Sequence, residues 1–277
     1  MMQNRNRLGI WLSGCSLVVI PLWGLAQGAG DAERAGPAPA GPAEEAFTSS
    51  ADPLGSFMWE LYRERYLGDA PYVFDSRVRL SAPGFAEDSG QVPLDIDAGE
   101  LGDDFERMLA WVELNPIPLI FDYDPRSHGL PRLSLNVRLE QASPVRVAVQ
   151  RHGVWHIGST HIEAEGGGCT TPGIATTESR WEERFGEVAG RRFDHGEQSQ
   201  LRLRVMHPMD SGLIPSQPAF HIQRFEVLDA GGELISTLAI EASVSENPAL
   251  GLHMKPLEGG YRVGARDNNG NRFSIAL

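Results

Sequence analysis

The sequence predicts an all-β protein built as two consecutive β-sandwiches, preceded by a short helix and an unstructured leader. Three observations carry this expectation. Short apolar runs recur between turn signals spaced roughly ten residues apart, the rhythm of a sandwich. Nowhere do strand and helix patterns alternate, which excludes a dinucleotide-binding fold. The chain has 277 residues, 41% of them hydrophobic, enough for about two cored domains. Its formal net charge of −13 repels phosphate backbones and anionic lipid, so neither nucleic acid nor a lipid surface is an expected partner.

In chain order, Met1–Arg7 is short and basic through Arg5 and Arg7, and Leu8–Leu25 is almost continuously apolar. Gly24-Leu25-Ala26 supplies the small residues of a signal-peptidase site, so residues 1–26 read as a signal peptide and the protein is expected in the periplasm. Two alternatives stay open: an uncleaved anchor, and lipidation at Cys15 in Leu12-Ser13-Gly14-Cys15, which the apolar run through Trp23 opposes. With the signal removed, no stable membrane insertion is expected. Residues 27–52, rich in Ala, Gly, Pro and Glu without an apolar period, read as a disordered leader. Asp52 or Ser56 can cap a helix over Phe57–Leu67, with Phe57, Met58, Leu61 and Tyr62 on one face and Gly68 as its stop.

The first sandwich spans 53–172. Its strands are expected at Val73–Leu80, Val92–Ile96, Leu119–Tyr123, Leu133–Leu139, Val145–Val149 and Val154–Ile162, with His152-Gly153 as a hairpin turn. Met108–Leu114 fits a strand and a helix equally. Residues 173–195 read as a linker with one short helix around Trp181 and Phe185. The second sandwich spans 196–277, with strands at Gln200–Met206, His221–Leu228, Leu234–Ile240, Leu250–Met254, Tyr261–Arg266 and Arg272–Ile275. Ala230-Gly231-Gly232 and Asn268-Asn269-Gly270 mark hairpins.

The strand leaving the first sandwich runs into Gly166-Gly167-Gly168-Cys169-Thr170. If cleavage removes Cys15, Cys169 is the one cysteine left and cannot form an internal disulfide. A leftover cysteine in an oxidising compartment implies intermolecular pairing or a reactive thiol, whereas a buried cysteine is ordinarily inert. The glycine run argues for a flexible, solvent-exposed thiol. Glu163 and Glu165 would disfavour its ionisation; one of Arg180, Arg184, Arg191 or Arg192 could offset them.

Most of the chain from Tyr72 onward resembles a known family. Asn115-Pro116-Ile117-Pro118-Leu119, Asp124-Pro125, Ser143-Pro144-Val145 and Gly166-Gly167-Gly168-Cys169 look like the SoxY half of the SoxYZ sulfur-carrier complex. His207-Pro208-Met209-Asp210-Ser211-Gly212-Leu213, Pro218-Ala219-Phe220-His221-Ile222, Ser245-Glu246-Asn247-Pro248 and Asp267-Asn268-Asn269-Gly270 look like the SoxZ half. Both on one chain resemble fused SoxYZ-like carriers associated with quinoprotein dehydrogenases. The resemblance implies an immunoglobulin-like sandwich for each half. It implies Cys169 as the covalent carrier residue, with Gly166, Gly167, Gly168 and Thr170 forming its loop. Periplasmic redox enzymes are the implied partners, among them a quinoprotein dehydrogenase. The carrier performs no catalysis of its own and takes no cofactor; the alternative is a non-catalytic adaptor of such a dehydrogenase with an incidental thiol. One departure stands out: the family's carrier cysteine lies near a free C-terminus, whereas here Thr170-Thr171-Pro172-Gly173 and a second domain follow. A loop held at both ends reaches about half as far as a free arm.

Other constellations carry less. His152, His156 and His161 do not share one face of an extended strand. Met206 and Met209 beside His207 lack a thiolate partner for a soft metal, and His207 itself reads as a packing and turn residue. Asp95, Asp97, Gly99 and Glu106 mimic part of a calcium loop but have Glu100 where the turn glycine belongs. No metal site is expected.

Overall fold

The computed structural model describes residues 48–171 and 181–277. The signal peptide, most of the leader and the start of the interdomain segment lie outside them. In the first half the strands are β1 (Thr48–Ser49), β2 (Tyr72–Asp75), β3 (Arg79–Ser81), β4 (Phe85–Ala86), β5 (Val92–Asp97), β6 (Arg107–Val112), β7 (Leu119–Asp124), β8 (Gly129–Val137), β9 (Ser143–Arg151) and β10 (Val154–Ala164). The second half adds β11 (Val188–His195), β12 (Gln198–Val205), β13 (Ile222–Asp229), β14 (Leu234–Ile240), β15 (Ala249–Met254), β16 (Tyr261–Asp267) and β17 (Arg272–Ala276). Helix α1 (Trp59–Tyr62) continues into a π-turn over Arg63–Leu67, and α2 is Trp181–Arg184.

The all-β expectation holds, and the two halves share both sheets. The larger sheet runs β1-β2-β10-β9-β6-β7-β14-β13-β16-β17, with β4 beside β10, and the smaller runs β11-β12-β15-β8-β5-β3. The halves join where β7 pairs β14, from Tyr123↔Leu238 to Phe121↔Ile240, and where β15 pairs β8, as at Leu252↔Leu133. Each pairing covers a strand edge that either half alone would expose to water or to aggregation. One apolar core lies between the sheets, from Leu94, Val147 and Ile162 in the first half to Phe225, Leu238 and Val263 in the second.

A second, aromatic core lies on the outer face of the larger sheet, where Trp59, Tyr62 and Leu67 cover Leu109, Trp111, Trp155 and Ile157. Strand β6 is therefore buried on both faces from Met108 to Val112. That two-sided burial removes the alternation that separates a strand from a helix in sequence. The helix ends at Gly68, with φ 63, as expected, but only half of its expected face is buried, Tyr62 with Met58 packed beside it. Phe57 is 84% exposed and Leu61 54%, while Trp59 packs inward. What fixes the face is polar: Asp52 and Glu113 both pair with buried Arg146, whose guanidinium lies 5.3 Å from the Trp59 ring centre. Asp52 also accepts the Ser56 N–H at 2.7 Å.

Three boundaries need correction. Thr48–Ser49, placed in the leader, pairs with β2. Val73–Leu80 is two strands broken by a turn, where the Val78 N–H bonds back to Asp75 O. The stretch assigned to the linker up to 195 contains β11, which pairs along its length with β12; its exposed Arg and Gly residues on an edge strand gave no apolar alternation.

Candidate functional site

Strand β10 delivers the cysteine loop against the β8–β9 connection and the β4–β5 turn. The Gly166 N–H bonds Ser89 Oγ at 3.3 Å, Gly167 N–H bonds Glu140 O at 3.0 Å, and Gly168 N–H bonds Leu139 O at 3.0 Å. The Cys169 N–H donates to Glu140 Oε2 at 3.1 Å, and Thr170 Oγ1–H to Glu140 Oε1 at 2.8 Å. From the second half, Ser211 Oγ donates to the Cys169 carbonyl at 3.1 Å.

This overturns the expectation of an exposed thiol on a loose tether. Cys169 is 2% exposed. The glycines serve close approach rather than freedom. A methyl group at Gly168 would collide with the carbonyl oxygens of Ser89 and Leu139, and one at Gly166 would come within 2.8 Å of Glu140 O while φ is 104. Only glycine lets the backbone seat this deeply. Beside the loop lies a cavity of about 310 Å³, bordered by Ser89, Arg138, Gly166, Gly167 and Gly168 together with carboxylates such as Glu165.

The thiol's electrostatics follow from the burial. Desolvation first, then the Glu140 carboxylate, push the Cys169 thiol up to about 12, and Arg138 acts in the opposite direction. At neutral pH the sulfur is a protonated thiol, and a thiol is not the nucleophile. The balancing arginine is not one of those expected. Arg184 pairs with Glu187 and Arg192 with Asp194, Arg191 sits on β11, and Arg180 lies outside the described residues. Arg138 is 5% exposed, with Nη2 donating to Pro208 O at 3.2 Å. Burial lowers its pKa while Cys169, Glu246 and Asp210 raise it.

Arg138, Glu140 and Ser211 were thus missed. Arg138 and Glu140 flank the end of an apolar strand as ordinary surface charges would, and only their position beside a glycine loop in space distinguishes them. Ser211 lay inside the His207–Leu213 motif but carried no role until the halves were joined. His207 is buried, with Nδ1 accepting the Met209 N–H at 3.1 Å and its ring against Phe185, Phe220 and Phe273. It shapes the turn that holds Ser211, as a packing residue should.

The weaker candidates resolve separately. His152 pairs with Asp104, His156 with Asp75 and His161 with Glu163, on three different carboxylates. Asp97 binds Arg132 and the Gly99 N–H. Among the described residues no group of three or more His, Cys, Asp or Glu is placed to hold a metal ion.

Comparison with known families gives two matches that divide the chain. The model described as Sulfur oxidation protein SoxY matches residues 63–169, and that described as Sulphur oxidation protein SoxZ matches residues 191–276. No curated protein matches the chain significantly. Among solved structures, the sulfur carrier protein SoxY from Chlorobium limicola f thiosulfatophilum is similar at 18% identity, covering 39% of this chain and 96% of that one, with a TM-score of 0.33. The BSP domain of a biofilm associated protein is similar at 12% identity, covering 72% of this chain and 29% of that one, with a TM-score of 0.24. At such scores neither structure adds to the reading of the site.

Proposed function

From a chain that joins a SoxY domain to a SoxZ domain, we infer a carrier protein of sulfur oxidation, with Cys169 as the atom of attachment. The observation that carries the reading is that the SoxY match ends on Cys169 itself. The signal-like pattern of residues 1–26 supports the periplasm as its place of work. Its partners are redox enzymes, because joining a thiol to a second reduced sulfur releases two electrons together with the thiol proton and any proton the second sulfur carries, and an enzyme must take up the electrons. The chain's own part is to hold, hide and hand over the adduct.

The buried geometry gives this carrier two states. In the closed state the sulfur is protonated and unreachable, protected from the oxidation that ruins exposed thiols. Loading requires residues 165–171 to leave Ser89, Leu139, Glu140 and Ser211. The six hydrogen bonds that hold them are worth roughly 0.5–1.5 kcal/mol each once water replaces them, so opening costs about 3–9 kcal/mol less the freedom the loop regains, a cost that a docking partner must meet. In water the thiol returns towards its ordinary range, where a few per cent is thiolate at neutral pH.

The closed thiol also favours a second reading, a non-catalytic adaptor of a quinoprotein dehydrogenase in which Cys169 is structural. Intact-mass analysis of protein isolated from the periplasm separates the two. The carrier predicts a reducible adduct on Cys169 that Cys169→Ser abolishes. An unmodified thiol under every growth condition, with Cys169→Ser harmless to growth on reduced sulfur, overturns it.

A further inference from the structure

On the outer face of the larger sheet, three adjacent strands place arginines directly opposite one another. Arg224 on β13 pairs with Arg266 on β16, and Arg266 pairs with Arg272 on β17. All three are exposed, while their neighbours Phe225 and Ala265 point into the core. Like charges directly opposite across strands are destabilising. Charging an edge strand is a known protection against aggregation, which accounts for Arg272 but not for Arg224 in the sheet interior. Among the described residues Arg266 and Arg272 form no ion pair, and Arg224 reaches Glu226 only at 3.7 Å.

The row borders a depression of about 720 Å³, a binding-site volume, whose floor is formed by Gly264 and Ala239. A Cβ at Gly264 would meet only the Phe273 carbonyl oxygen, at 3.9 Å. Adjacent strands lie about 4.8 Å apart, so three arginines span about 10 Å, the reach of a short acidic stretch. A basic row of this kind on a chain of net charge −13 is a local field of the opposite sign to the whole, and such fields select and orient partners.

We propose that the Arg224–Arg266–Arg272 row is a docking surface for an acidic segment on the surface of a partner protein. Its place in the fold ties docking to the cysteine. Arg266 precedes Asp267, whose carboxylate lies 3.5 Å from His207 Nε2. Arg224 lies two residues beyond Ile222, whose N–H contacts Met209 Sδ at 3.3 Å. Arg272 precedes Phe273, whose ring packs on His207. The row thus borders the strand ends that support residues 207–211, and Ser211 of that segment holds the Cys169 carbonyl. An enzyme seated on the arginines touches the elements that keep the thiol closed.

The test uses the full chain and a fluorescein-labelled decaglutamate peptide, followed by fluorescence anisotropy at low salt. The combined variant Arg224→Ser, Arg266→Ser, Arg272→Ser is expected to bind at least about tenfold more weakly, and binding of the unaltered chain to collapse at 0.5 M salt. A control of equal charge, Arg65→Ser on the turn after α1 with Arg202→Ser and Arg204→Ser on β12 of the smaller sheet, is expected to bind as the unaltered chain does. Equal weakening by both variants, or no binding at all, overturns the proposal. So does displacement of the peptide by millimolar sulfate at constant ionic strength, which would mark a small-anion site. Recruitment of phosphatidylglycerol vesicles instead of the peptide, or a salt-sensitive dimer lost in the first variant, likewise overturns it in favour of a lipid surface or a second copy. Because like charges are being removed, the first variant is expected to melt no lower than the parent, so lost binding is not lost folding. The proposal does not rest on the carrier reading: a Cys169→Ser chain is expected to bind the peptide unchanged, so either can fail alone.

Discussion

Burial is the first cause of the raised thiol pKa, and two side chains adjust it from opposite sides. Glu140 accepts the Cys169 N–H and raises the thiol pKa, while Arg138 lowers it. Glu140→Gln removes the charge and weakens the clasp on Thr170, so alkylation of Cys169 by iodoacetamide at pH 8.5 is expected to run severalfold faster. An unchanged rate would mean that burial alone governs reactivity. His207 gives a second residue-scale outcome. Burial lowers its pKa from 6.5 to about 4, so the folded chain keeps the imidazole neutral while the unfolded chain protonates it. Its contribution is whole above pH 6.5 and is lost as pH falls through about 4, on the order of 3 kcal/mol across that window. His221 and His253 are lowered by burial in the same direction. Urea midpoints at pH 7 and pH 5 should therefore converge in His207→Gln relative to the parent without becoming equal. Sequence alone pointed to His207 and Cys169 because both sit in recognisable local patterns. It could not point to Arg138 or Glu140, since a charge at a strand end reads as solvated until its neighbours in space are known.

At the scale of the element, the Gly166–Thr170 loop behaves as a seated arm. Three consecutive glycines suggested freedom, but the same missing side chains permit a close backbone approach, and sequence does not distinguish the two uses. The distinction is testable with one methyl group. Gly168→Ala meets the Ser89 and Leu139 carbonyls, so the arm is expected to unseat at a cost of about 1–3 kcal/mol, with Cys169 alkylated much faster in chemical-probe experiments. Retained protection would sink the two-state account of the loop. Helix α1 shows the converse limit. Its extent and its Gly68 stop were legible, yet Phe57 and Leu61 were assigned inward because apolarity was the only guide. The buried Arg146, with Asp52 and Glu113, brings Trp59 rather than Phe57 and Leu61 onto the sheet beside Tyr62.

Across the whole molecule, strand positions and hairpin turns were legible because apolar alternation and glycine turns are local. The β7–β14 and β8–β15 joints were not, because strand pairing between distant segments leaves no mark on either one. These joints place residues of both halves in one core. The chain is accordingly expected to unfold in a single calorimetric transition with equal calorimetric and van't Hoff enthalpies, and two separated transitions would contradict the shared sheets. The cover over the sulfur follows from the same joints. Ser211 and Pro208 belong to the second half, while Cys169 and Arg138 belong to the first. Where carrier and cover are separate polypeptides, dilution lets them part and leaves a naked sulfur behind. Here the tether fixes their effective concentration, so the guard travels with the thiol at any abundance, in a ratio of one to one.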